Sequence, residues 1–556
     1  MPFKSENFPL IKSLYLDAPH FSIMAEVPYA GIPEREYGNV EYKLKISADA
    51  KRMNELASQM KFRLFEGNGE AIYILGITDD GRPEGITPEE MKATLEQLGE
   101  IAKMINAKTT VLRQTENEGR LVTEVLVRKV KDPERLPVDI PVVSLGNVDA
   151  GKSTLIGVLK TGHLDDGRGS ARTAVFRHKH ELETGRTSSI SSTTIGIDVD
   201  GNIVNQDPVH PPTDLQILER SIKTISFHDL AGHEKYLKTT IYGLAGLGAR
   251  YAMLIVAANQ GILKMTKEHL GLIIALKLPT FVVITKIDMT PDTVLSKTKD
   301  DLKKLLKLPG VSKVPLIVKN QNDVLLAAQN ISHGNIIPIF LISASTGENL
   351  DLFKRFLNLL PAKKPANELQ SKEFGAYITE TFSVPGVGTV VSARIYSGVI
   401  NANDNVYLGP FEGGKFKLVR IKSIHYKRVI TDRAVAGQDA TFALHTVKKD
   451  EVRKGMVLLS ARESPGASFR FDGEVFILYH STTIKPGYTP VIHTQSVQQS
   501  ARIMEISQPL LRTGDRAQVS FKFLYRPEYI SVGQRFIFRE GRTKGIGTIT
   551  KIYPLD

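Results

Sequence analysis

Short apolar runs separated by stretches of helical length dominate the middle of this 556-residue chain. They fall at residues 140–144, 225–228, 252–257, 280–285 and 339–343. Runs of this kind are typical of βα units on a parallel sheet that is buried on both faces. The pattern therefore predicts an α/β domain with a mostly parallel sheet over residues 139–360.

Two long stretches inside that domain show no apolar period, at residues 161–192 and 198–220. Irregular segments of this length in a compact domain are usually functional or mobile loops. We therefore expect both stretches to be loops connected with function.

Residues 1–138 follow a different pattern, in which strand-like alternation and helical periodicity take turns. It predicts strands at 40–46, 71–77, 110–113 and 121–130, and helices at 48–62 and 87–105. The second helix has a clear start signal, because Thr87 can cap it, Pro88 suits its first turn and Glu90 completes a capping box. We predict a small N-terminal α+β domain, followed by a linker at 131–137.

After a second linker at 361–372, the chain changes to short strand-like runs between Gly- and Pro-rich turns. This spacing predicts one β-barrel over residues 373–462 and another over 468–556. The predicted fold is therefore multidomain, with the N-terminal α+β domain, the α/β domain and then two β-barrels.

Composition narrows the cellular setting. The chain has no cysteine, which excludes disulfides and cysteine-based zinc sites and favours a reducing compartment. No apolar run reaches the roughly 18 residues that span a bilayer. The N-terminus, MPFKSENFPLIK, lacks the basic and then apolar pattern of a signal peptide. We expect a cytoplasmic protein with no membrane partner.

The net charge of +12 is concentrated in the last third of the chain. Residues 371–556 contain 26 Lys and Arg against 16 Asp and Glu, a net charge of +10. A basic excess of this kind fits a surface that faces phosphate backbones, although a solvated surface without a partner would also produce it.

The segment 146-GNVDAGKST-154 lies between a predicted strand and a predicted helix and fits the phosphate-binding P-loop pattern. Its backbone N–H groups can cradle a phosphate, with Lys152 on the β and γ oxygens and the hydroxyl of Ser153 on Mg²⁺. The residues that we predict to bind nucleotide here are Asn147, Val148, Asp149, Ala150, Gly151, Lys152, Ser153 and Thr154.

The segment 229-DLAGH-233 follows the next buried strand. Asp229 is placed to face the Mg²⁺ through water, and Gly232 can offer its N–H to a γ-phosphate. His233 would then lie beside the attacking water and act in catalysis. A surface loop histidine is the competing interpretation of His233.

Two further strand ends favour guanine. In 285-TKID-288, Asp288 can accept from two N–H groups on the guanine edge, Lys286 can pack along the base and Thr285 precedes them. In 343-SAS-345, the backbone of Ser343, Ala344 and Ser345 can donate to the guanine oxygen. Each motif is weak alone, but four such elements in this order at strand ends are a strong signal for a GTP or GDP site.

With these motifs, the chain resembles the translational GTPases typified by elongation factor Tu. The resemblance makes the α/β domain a P-loop G domain and implies a Mg²⁺-dependent GTPase stimulated by a partner. It implies that Thr187, in 185-GRTSS-189, coordinates Mg²⁺ and joins Lys152 and His233 in catalysis. Ser188 is the alternative residue for the role of Thr187. It also implies that the ribosome orders the loop of His233, and that Asp149 can help to bind a monovalent cation, K⁺ or Na⁺.

The chain departs from the family pattern at two places. Position 285 is Thr where most members have Asn, and this change removes an amide that contacts the base and braces the P-loop. The switch segment reads GRTSS instead of the usual RGIT.

The resemblance extends past the second linker. The segments 382-FSVPGVGTVVSARIYSGVI-400 and 535-RFIFREGRTKGIGTITKI-552 look like the two barrels of these factors. The additional N-terminal domain makes the chain similar to the GTP-binding protein 1 family, and we expect an archaeal, monomeric member. That similarity implies binding of aminoacyl-tRNA, action on ribosomes and a connection with the RNA exosome.

Three hypotheses for function follow from these motifs. The first is a GTP-dependent RNA-binding switch. The second is an RNA-decay or assembly adaptor whose GTP hydrolysis is incidental. The third is a nucleotide kinase, a function in which the two barrels would have no role. Candidate phosphate contacts for a bound tRNA are Arg420, Lys422, Lys427, Arg428, Arg433, Lys448 and Lys449. Each of these, taken singly, is better explained as a solvated surface charge.

Overall fold

The computed structural model describes residues 33–47, 50–133, 136–176, 191–206, 210–230, 232, 248–308, 311–362, 369–462, 465–540 and 543–555. The chain divides into two compact units, Met1–Val130 and Lys131–Asp556. In the described part, no helix is both long and apolar enough to cross a membrane.

The first unit is an α+β domain, as predicted. Its elements are β1 (Val40–Lys43), α1 (Ala50–Glu66), β2 (Glu70–Leu75), α2 (Pro88–Met104), β3 (Ala107–Asn117) and β4 (Arg120–Lys129). The strands form a sheet in the order β1-β2-β4-β3, with β1 and β2 parallel. The predicted capping box at Thr87 and Glu90 is confirmed. Apolar side chains of both helices pack on the sheet, among them Leu64 and Leu98.

A buried arginine holds residues 34–41 on α1. The guanidinium of Arg63 donates to the carboxylates of Glu41 and Glu34, at 2.6 Å each, and to the carbonyls of Arg35, Glu36 and Gly38. Burial, with the neighbouring Glu41, raises the pKa of Glu34 to about 7. Burial alone would also raise the pKa of Glu41, but hydrogen bonds from Lys43 and Arg63 hold that pKa below its ordinary value.

The second unit begins with the α/β domain. Its strands are β5 (Val138–Gly146), β6 (Ser191–Ile197), β7 (Lys223–Asp229), β8 (Tyr251–Ala257), β9 (Thr280–Thr285), β10 (Val314–Ile317) and β11 (Ile336–Leu341). Its helices are α3 (Lys152–Thr161), α4 (Asp214–Arg220), α5 (Lys264–Ala275), α6 (Asp292–Lys307), α7 (Gln321–Asn330) and α8 (Leu350–Leu359). The strand order is β10-β11-β9-β8-β5-β7-β6, and all pairs are parallel except β6 with β7. Buried clusters cover both faces of this sheet, which explains the continuous apolar runs.

The five predicted strands of this domain are confirmed, but the two stretches expected to be irregular contain regular structure. A 3₁₀ helix occupies Ser170–Ala174, β6 begins at Ser191, and α4 occupies the end of the second stretch. The sequence of β6, SSTTIGI, has mostly small polar residues at its start, and Ser191 and Thr193 are buried by pairing with β7. The helix α4 has only 7 residues and is fixed by a capping box from Thr213.

The rest of the second unit forms two barrels of antiparallel strands, as predicted. The first contains β12 (Gly375–Val384), β13 (Gly388–Ser397), β14 (Val399–Asn401), β15 (Asn405–Gly409), β16 (Lys417–Tyr426), β17 (Val429–Thr431), β18 (Arg433–Val435), β19 (Asp439–Leu444) and β20 (Val457–Ser460). Six of these strands close in the order β15-β20-β12-β13-β19-β16, because β16 pairs with β15. The second barrel contains β21 (Arg470–Tyr479), β22 (Val491–Thr494), β23 (Val497–Ile506), β24 (Arg516–Phe523), β25 (Arg535–Glu540) and β26 (Thr543–Tyr553), closed in the order β21-β24-β23-β22-β25-β26.

Two cations of the first barrel reach into the α/β domain. The ammonium of Lys427 donates to Asp139 at 2.8 Å, Thr224 at 3.0 Å and Ser226 at 2.8 Å. The guanidinium of Arg394 donates to Asp439 at 2.8 Å and to the carbonyl of Gly248 at 3.3 Å. These contacts fix the first barrel on the β5–β7 side of the sheet.

Candidate nucleotide site

The P-loop begins where β5 ends and finishes where α3 begins. Asp149 (φ 59°) and Gly151 (φ 86°) both adopt the left-handed conformation, so the chain turns sharply before the helix. A Cβ at Gly146 would collide with the carbonyl of Ile255, so this position also requires glycine. The tight turn leads into the N-terminus of α3, where backbone N–H groups of the loop and helix can stabilise an anion.

The ammonium of Lys152 lies inside this loop. It donates to the carbonyl oxygens of Asn147 at 2.8 Å and Gly146 at 3.2 Å, and the side chain is buried. Burial lowers the pKa of Lys152, while the carboxylates of Asp229 and Asp149 act in the opposite direction. The P-loop therefore holds the ammonium of Lys152 at the position where a phosphate would bind.

The carboxylate of Asp229 lies at the end of β7, next to the start of α3. Its two oxygens accept hydrogen bonds from the hydroxyls of Ser144 at 2.6 Å and Ser153 at 2.5 Å. One carboxylate and one neighbouring hydroxyl are the hard oxygen ligands that Mg²⁺ prefers, so these residues fit the ion that the motif predicts. Ser144 was not predicted; the only signal was a lone polar residue inside the apolar run 142–145.

Gly232 lies against the P-loop. A Cβ at this position would be 2.6 Å from both the carbonyl oxygen of Gly146 and the ammonium of Lys152, so no other residue fits without a shift. The predicted catalytic residues His233 and Thr187, and the rival Ser188, lie outside the described residues.

The predicted base-binding residues follow β9 and β11, which are parallel neighbours. Lys286 (φ 61°) turns the chain after β9, and Thr290 donates to its carbonyl at 2.6 Å, which leaves Asp288 exposed. After β11, the buried hydroxyl of Ser343 accepts from the N–H groups of Ser345 at 3.2 Å and Thr346 at 3.0 Å. The carboxyl ends of parallel strands therefore bring the base-side motifs to the same edge as the P-loop.

Thr285 braces the P-loop through its hydroxyl in place of the missing amide. The hydroxyl of Thr285 donates to the carbonyl of Ala150 in the P-loop at 2.7 Å. The side chain is buried at the end of β9, where a hydroxyl is long enough to reach the loop. The amide of an asparagine is therefore not needed for this contact.

The remaining P-loop residues fill the expected places. Ala150 is buried, Asn147 and Val148 are half-buried, and Thr154 is half-buried in the first turn of α3. Asp149, the residue predicted to help bind a monovalent cation, is exposed.

The candidate RNA contacts fall into two groups. Arg420, Lys422, Arg433, Lys448 and Lys449 are exposed on the first barrel, as a phosphate contact requires. Arg428 is also exposed and lies 3.4 Å from Asp214. Lys427 does not belong with them, because it is only partly exposed and its ammonium is paired with Asp139 at 2.8 Å.

Comparisons with known proteins agree with this site. The profile of the elongation factor Tu GTP binding domain matches residues 140–363, and that of elongation factor Tu domain 2 matches residues 388–459. The chain is 48% identical to GTP-binding protein 1 of Xenopus laevis over 91% of this chain and 77% of that protein. It is 44% identical to human GTP-binding protein 2 over 94% of this chain and 88% of that protein.

A solved structure shares the fold. Selenocysteine-specific elongation factor SelB of Methanococcus maripaludis, in complex with the GTP analogue GppNHp, aligns with a TM-score of 0.52 at 19% identity over 75% of this chain and 80% of that chain.

The chain belongs to the translational GTPases of the elongation factor Tu type, within the family of GTP-binding proteins 1 and 2. It is a GTPase and binds GTP and GDP. The two relatives named at 48% and 44% identity come from vertebrates, so the archaeal origin stays a prediction.

Proposed function

We propose that this GTPase carries aminoacyl-tRNA to ribosomes in the cytoplasm, as a monomer, and releases it after hydrolysis. The observation that carries the proposal is a row of cations on the second barrel. Arg470 of β21 lies directly opposite Lys522 of β24, which lies opposite Arg502 of β23. Like charges in this register destabilise a sheet, by roughly 0.2–1 kcal/mol a pair, unless an anion lies over them.

Among the described residues, only Arg470 of this row has a carboxylate partner, Glu505 at 3.1 Å. Arg502 and Lys522 are exposed on the same face of the barrel. A phosphate backbone that crosses the strands would neutralise all three cations, and this is the largest contribution to RNA affinity in proteins of this kind.

A rigid turn beside the row presents an aromatic ring. The buried side chain of Gln499 accepts from the N–H groups of Tyr525 and Arg526, at 2.9 Å each, and donates to the carbonyl of Arg526 at 3.1 Å. The Tyr525 side chain is 72% exposed on this turn. A fixed, exposed ring beside Arg526 suits contact with a sugar or base of RNA.

In this proposal the phosphate side of the site works as follows. Lys152 places its charge on the β and γ oxygens of GTP. Because two carbonyls already hold its ammonium in the loop, the side chain needs no reorganisation. Ser153, Thr187 and Asp229, the last through water, would hold Mg²⁺, which when bound offsets charge on the transferring phosphoryl group. Asp149 would contribute to a site for K⁺ or Na⁺.

The remaining residues act on the γ-phosphate and on the base. Gly232 donates its N–H to the γ-phosphate, and His233 orients the attacking water when a partner such as the ribosome brings it into line. Asp288 accepts from the guanine edge beside Lys286, and the backbone of residues 343–345 donates to the guanine oxygen.

The direct test is the hydrolysis half-life of an aminoacyl-tRNA ester in the presence of the protein. With a non-hydrolysable GTP analogue bound, we expect the ester to be protected, and with GDP bound we expect the half-life of free aminoacyl-tRNA. Protection that depends on the analogue shows that the ester end is sequestered in a GTP-gated pocket. Equal half-lives with the GTP analogue, with GDP and for free aminoacyl-tRNA would reject the carrier function.

Variants locate the RNA on the second barrel. The double variant Arg502→Ala with Lys522→Ala should weaken tRNA binding by about tenfold and reduce the salt dependence by about two charges. The matched control removes two exposed lysines of α6, Lys297→Ala with Lys304→Ala, which changes the net charge equally. An equal effect in both variants would mean that only overall charge attracts the RNA.

The alternative function is a GTP-gated adaptor for an RNA-decay complex such as the exosome. The N-terminal unit favours it, because that unit has its own apolar core and contributes none of the described nucleotide-site residues. Absence of ester protection in both nucleotide states, together with capture of an RNA-decay complex that is lost on deletion of residues 1–131, would support the adaptor.

A further inference from the structure

The loop that follows α3 is ordered by one carboxylate. One oxygen of Asp165 accepts from the N–H groups of Gly167 at 3.0 Å and Gly169 at 3.1 Å, and the other accepts from Ala171 at 3.0 Å. Asp165 is buried, whereas its neighbour Asp166 is exposed. Three hydrogen bonds to one buried carboxylate give residues 164–171 a single conformation.

One end of this loop contacts the predicted guanine-binding segment. The N–H of Asp165 donates to the carbonyl of Ala344 at 3.0 Å. The two terminal carbons of Leu164 lie 3.4 and 3.5 Å from the position of a Cβ on Gly347. The loop therefore fixes both the peptide of Ala344 and the turn that follows it.

The other end of the loop packs on the P-loop helix. A Cβ on Gly157 of α3 would collide with the carbonyl of Ala171, so helix and loop are in direct backbone contact. Lys160 of the same helix also donates to the carbonyl of Ala174 at 2.9 Å. The loop thus spans from the phosphate side of the site to the base side.

We propose that Asp165 is a positioning residue for guanine recognition. By ordering the loop, it holds the Ala344 carbonyl and so positions the N–H of Ala344 for the guanine oxygen, since the N–H groups of Ser343 and Ser345 already donate within the turn. The inference rests on the proposed role of residues 343–345 in base binding. It explains how the base side stays defined in a chain that has Thr285 in place of the usual asparagine amide.

Asp166 provides a matched control inside the same loop. Its carboxylate accepts from the N–H groups of Arg168 at 2.8 Å and Ser170 at 3.2 Å, so it also shapes the loop. Its side chain is exposed, and among the described contacts none joins it to residues 343–347. Asp165→Ala and Asp166→Ala therefore remove the same chemical group from neighbouring positions of the same loop.

The experiment compares two diphosphates by displacement of a fluorescent GDP from the full chain. One is GDP, and the other is the diphosphate of 2-aminopurine riboside, which keeps the amino group facing Asp288 but lacks both the guanine oxygen and the N1–H. Because Asp288 is unchanged in every variant, the loss of the N1–H contact is common to all of them. Asp165→Ala should weaken GDP by about tenfold, the effect of one or two lost hydrogen bonds, and leave the 2-aminopurine diphosphate unchanged. Asp166→Ala should change neither affinity by more than about twofold.

Further variants guard against a folding defect. Asp165→Asn keeps one acceptor oxygen and should fall between the parent chain and Asp165→Ala. Leu164→Ala, at a half-exposed side chain, should reduce the preference for GDP in the same direction. The affinity for the 2-aminopurine diphosphate serves as the internal check on folding in each variant, because it should stay within about twofold of that of the parent chain.

Two results would overturn the inference. Equal weakening of both diphosphates by Asp165→Ala would mean a general loosening of the site, and no change in either would mean that Asp165 has no part in base binding. If the parent chain itself fails to prefer GDP over the 2-aminopurine diphosphate, the role of residues 343–345 falls instead. None of these results depends on aminoacyl-tRNA, so the carrier proposal is tested separately.

Discussion

At the scale of the residue, the hydroxyl of Thr285 makes a contact on which nucleotide affinity should depend. It donates to the carbonyl of Ala150 in a buried part of the P-loop. Thr285→Val keeps the shape of the side chain but leaves that carbonyl without its donor, a cost of about 1–3 kcal/mol. We expect the Kd for GDP to rise by at least about fivefold, measured by displacement of a fluorescent nucleotide.

Two substitutions at the same position serve as controls for this prediction. Thr285→Ser keeps the hydroxyl and should bind GDP like the parent chain. Thr285→Asn restores the common family residue, and we expect its affinity to equal or exceed that of the parent chain. Unchanged affinity in Thr285→Val would show that the contact with Ala150 does not matter for binding.

The residues that the sequence allowed us to predict are those with a motif. The segments 146–154, 229–232, 285–288 and 343–345 converge at one sheet edge because each follows a strand of the same parallel sheet. Ser144 and Asp165 carry no motif; they act through partners 85 residues and 179 residues away in sequence, so only the fold reveals them.

At the scale of the element, the stability of the N-terminal unit should decrease as the pH rises. Glu34 holds its proton up to a pKa of about 7 in the folded unit, against 4.5 for an ordinary glutamate. Between these values the folded state binds more protons than the unfolded state, so the contribution of Glu34 to stability is fully present below pH 4.5 and is lost as the pH rises to about 7. Partial solvent screening limits the loss to about 1 kcal/mol.

Hydrogen exchange of the full chain, corrected for intrinsic rates, measures this effect locally. Peptides that cover residues 34–47 and α1 should exchange more readily at pH 8 than at pH 5. Glu34→Gln should abolish the difference, whereas Glu36→Gln should preserve it, because Glu36 contributes only its carbonyl to Arg63. Protection that increases with pH in the parent chain would contradict the prediction.

Elements with strong periodicity were predictable, whereas the elements missed depend on tertiary contacts. The apolar runs gave β5, β7, β8, β9 and β11 because a parallel sheet buries both faces. The edge strand β6 has too few apolar residues for such a run, and it is a strand because it pairs with β7 along its whole length. The short edge strand β10 has only 4 residues, too few to show a period.

At the scale of the whole molecule, one buried ion pair joins the first barrel to the α/β domain. Burial alone would raise the pKa of Asp139, but the ammonium of Lys427 and the hydroxyls of Ser226 and Thr224 hold it below its ordinary value. A depressed pKa of this kind contributes stability above the unfolded value of 3.8, and the contribution is lost as the pH falls through the folded pKa. The attachment of the barrel should therefore weaken in acid.

Lys427→Met tests this attachment at neutral pH. It leaves a buried carboxylate without its cation, so we expect a loss of about 3–5 kcal/mol and faster hydrogen exchange in β5, β7 and the β16–β17 hairpin. Adding Asp139→Asn removes the uncompensated charge and should restore much of that loss, which a double-mutant cycle measures.

Arg428→Ala is the matched control, because the adjacent pair of Arg428 with Asp214 also joins the barrel and the α/β domain but is exposed. This substitution should cost less than about 1 kcal/mol. Because Lys427 lies on the barrel and Asp139 on the strand that leads into the P-loop, a large coupling energy would mean that this ion pair holds the barrel on that strand. Equal small losses in Lys427→Met and Arg428→Ala would mean that the pair of Lys427 with Asp139 does not hold the barrel in place.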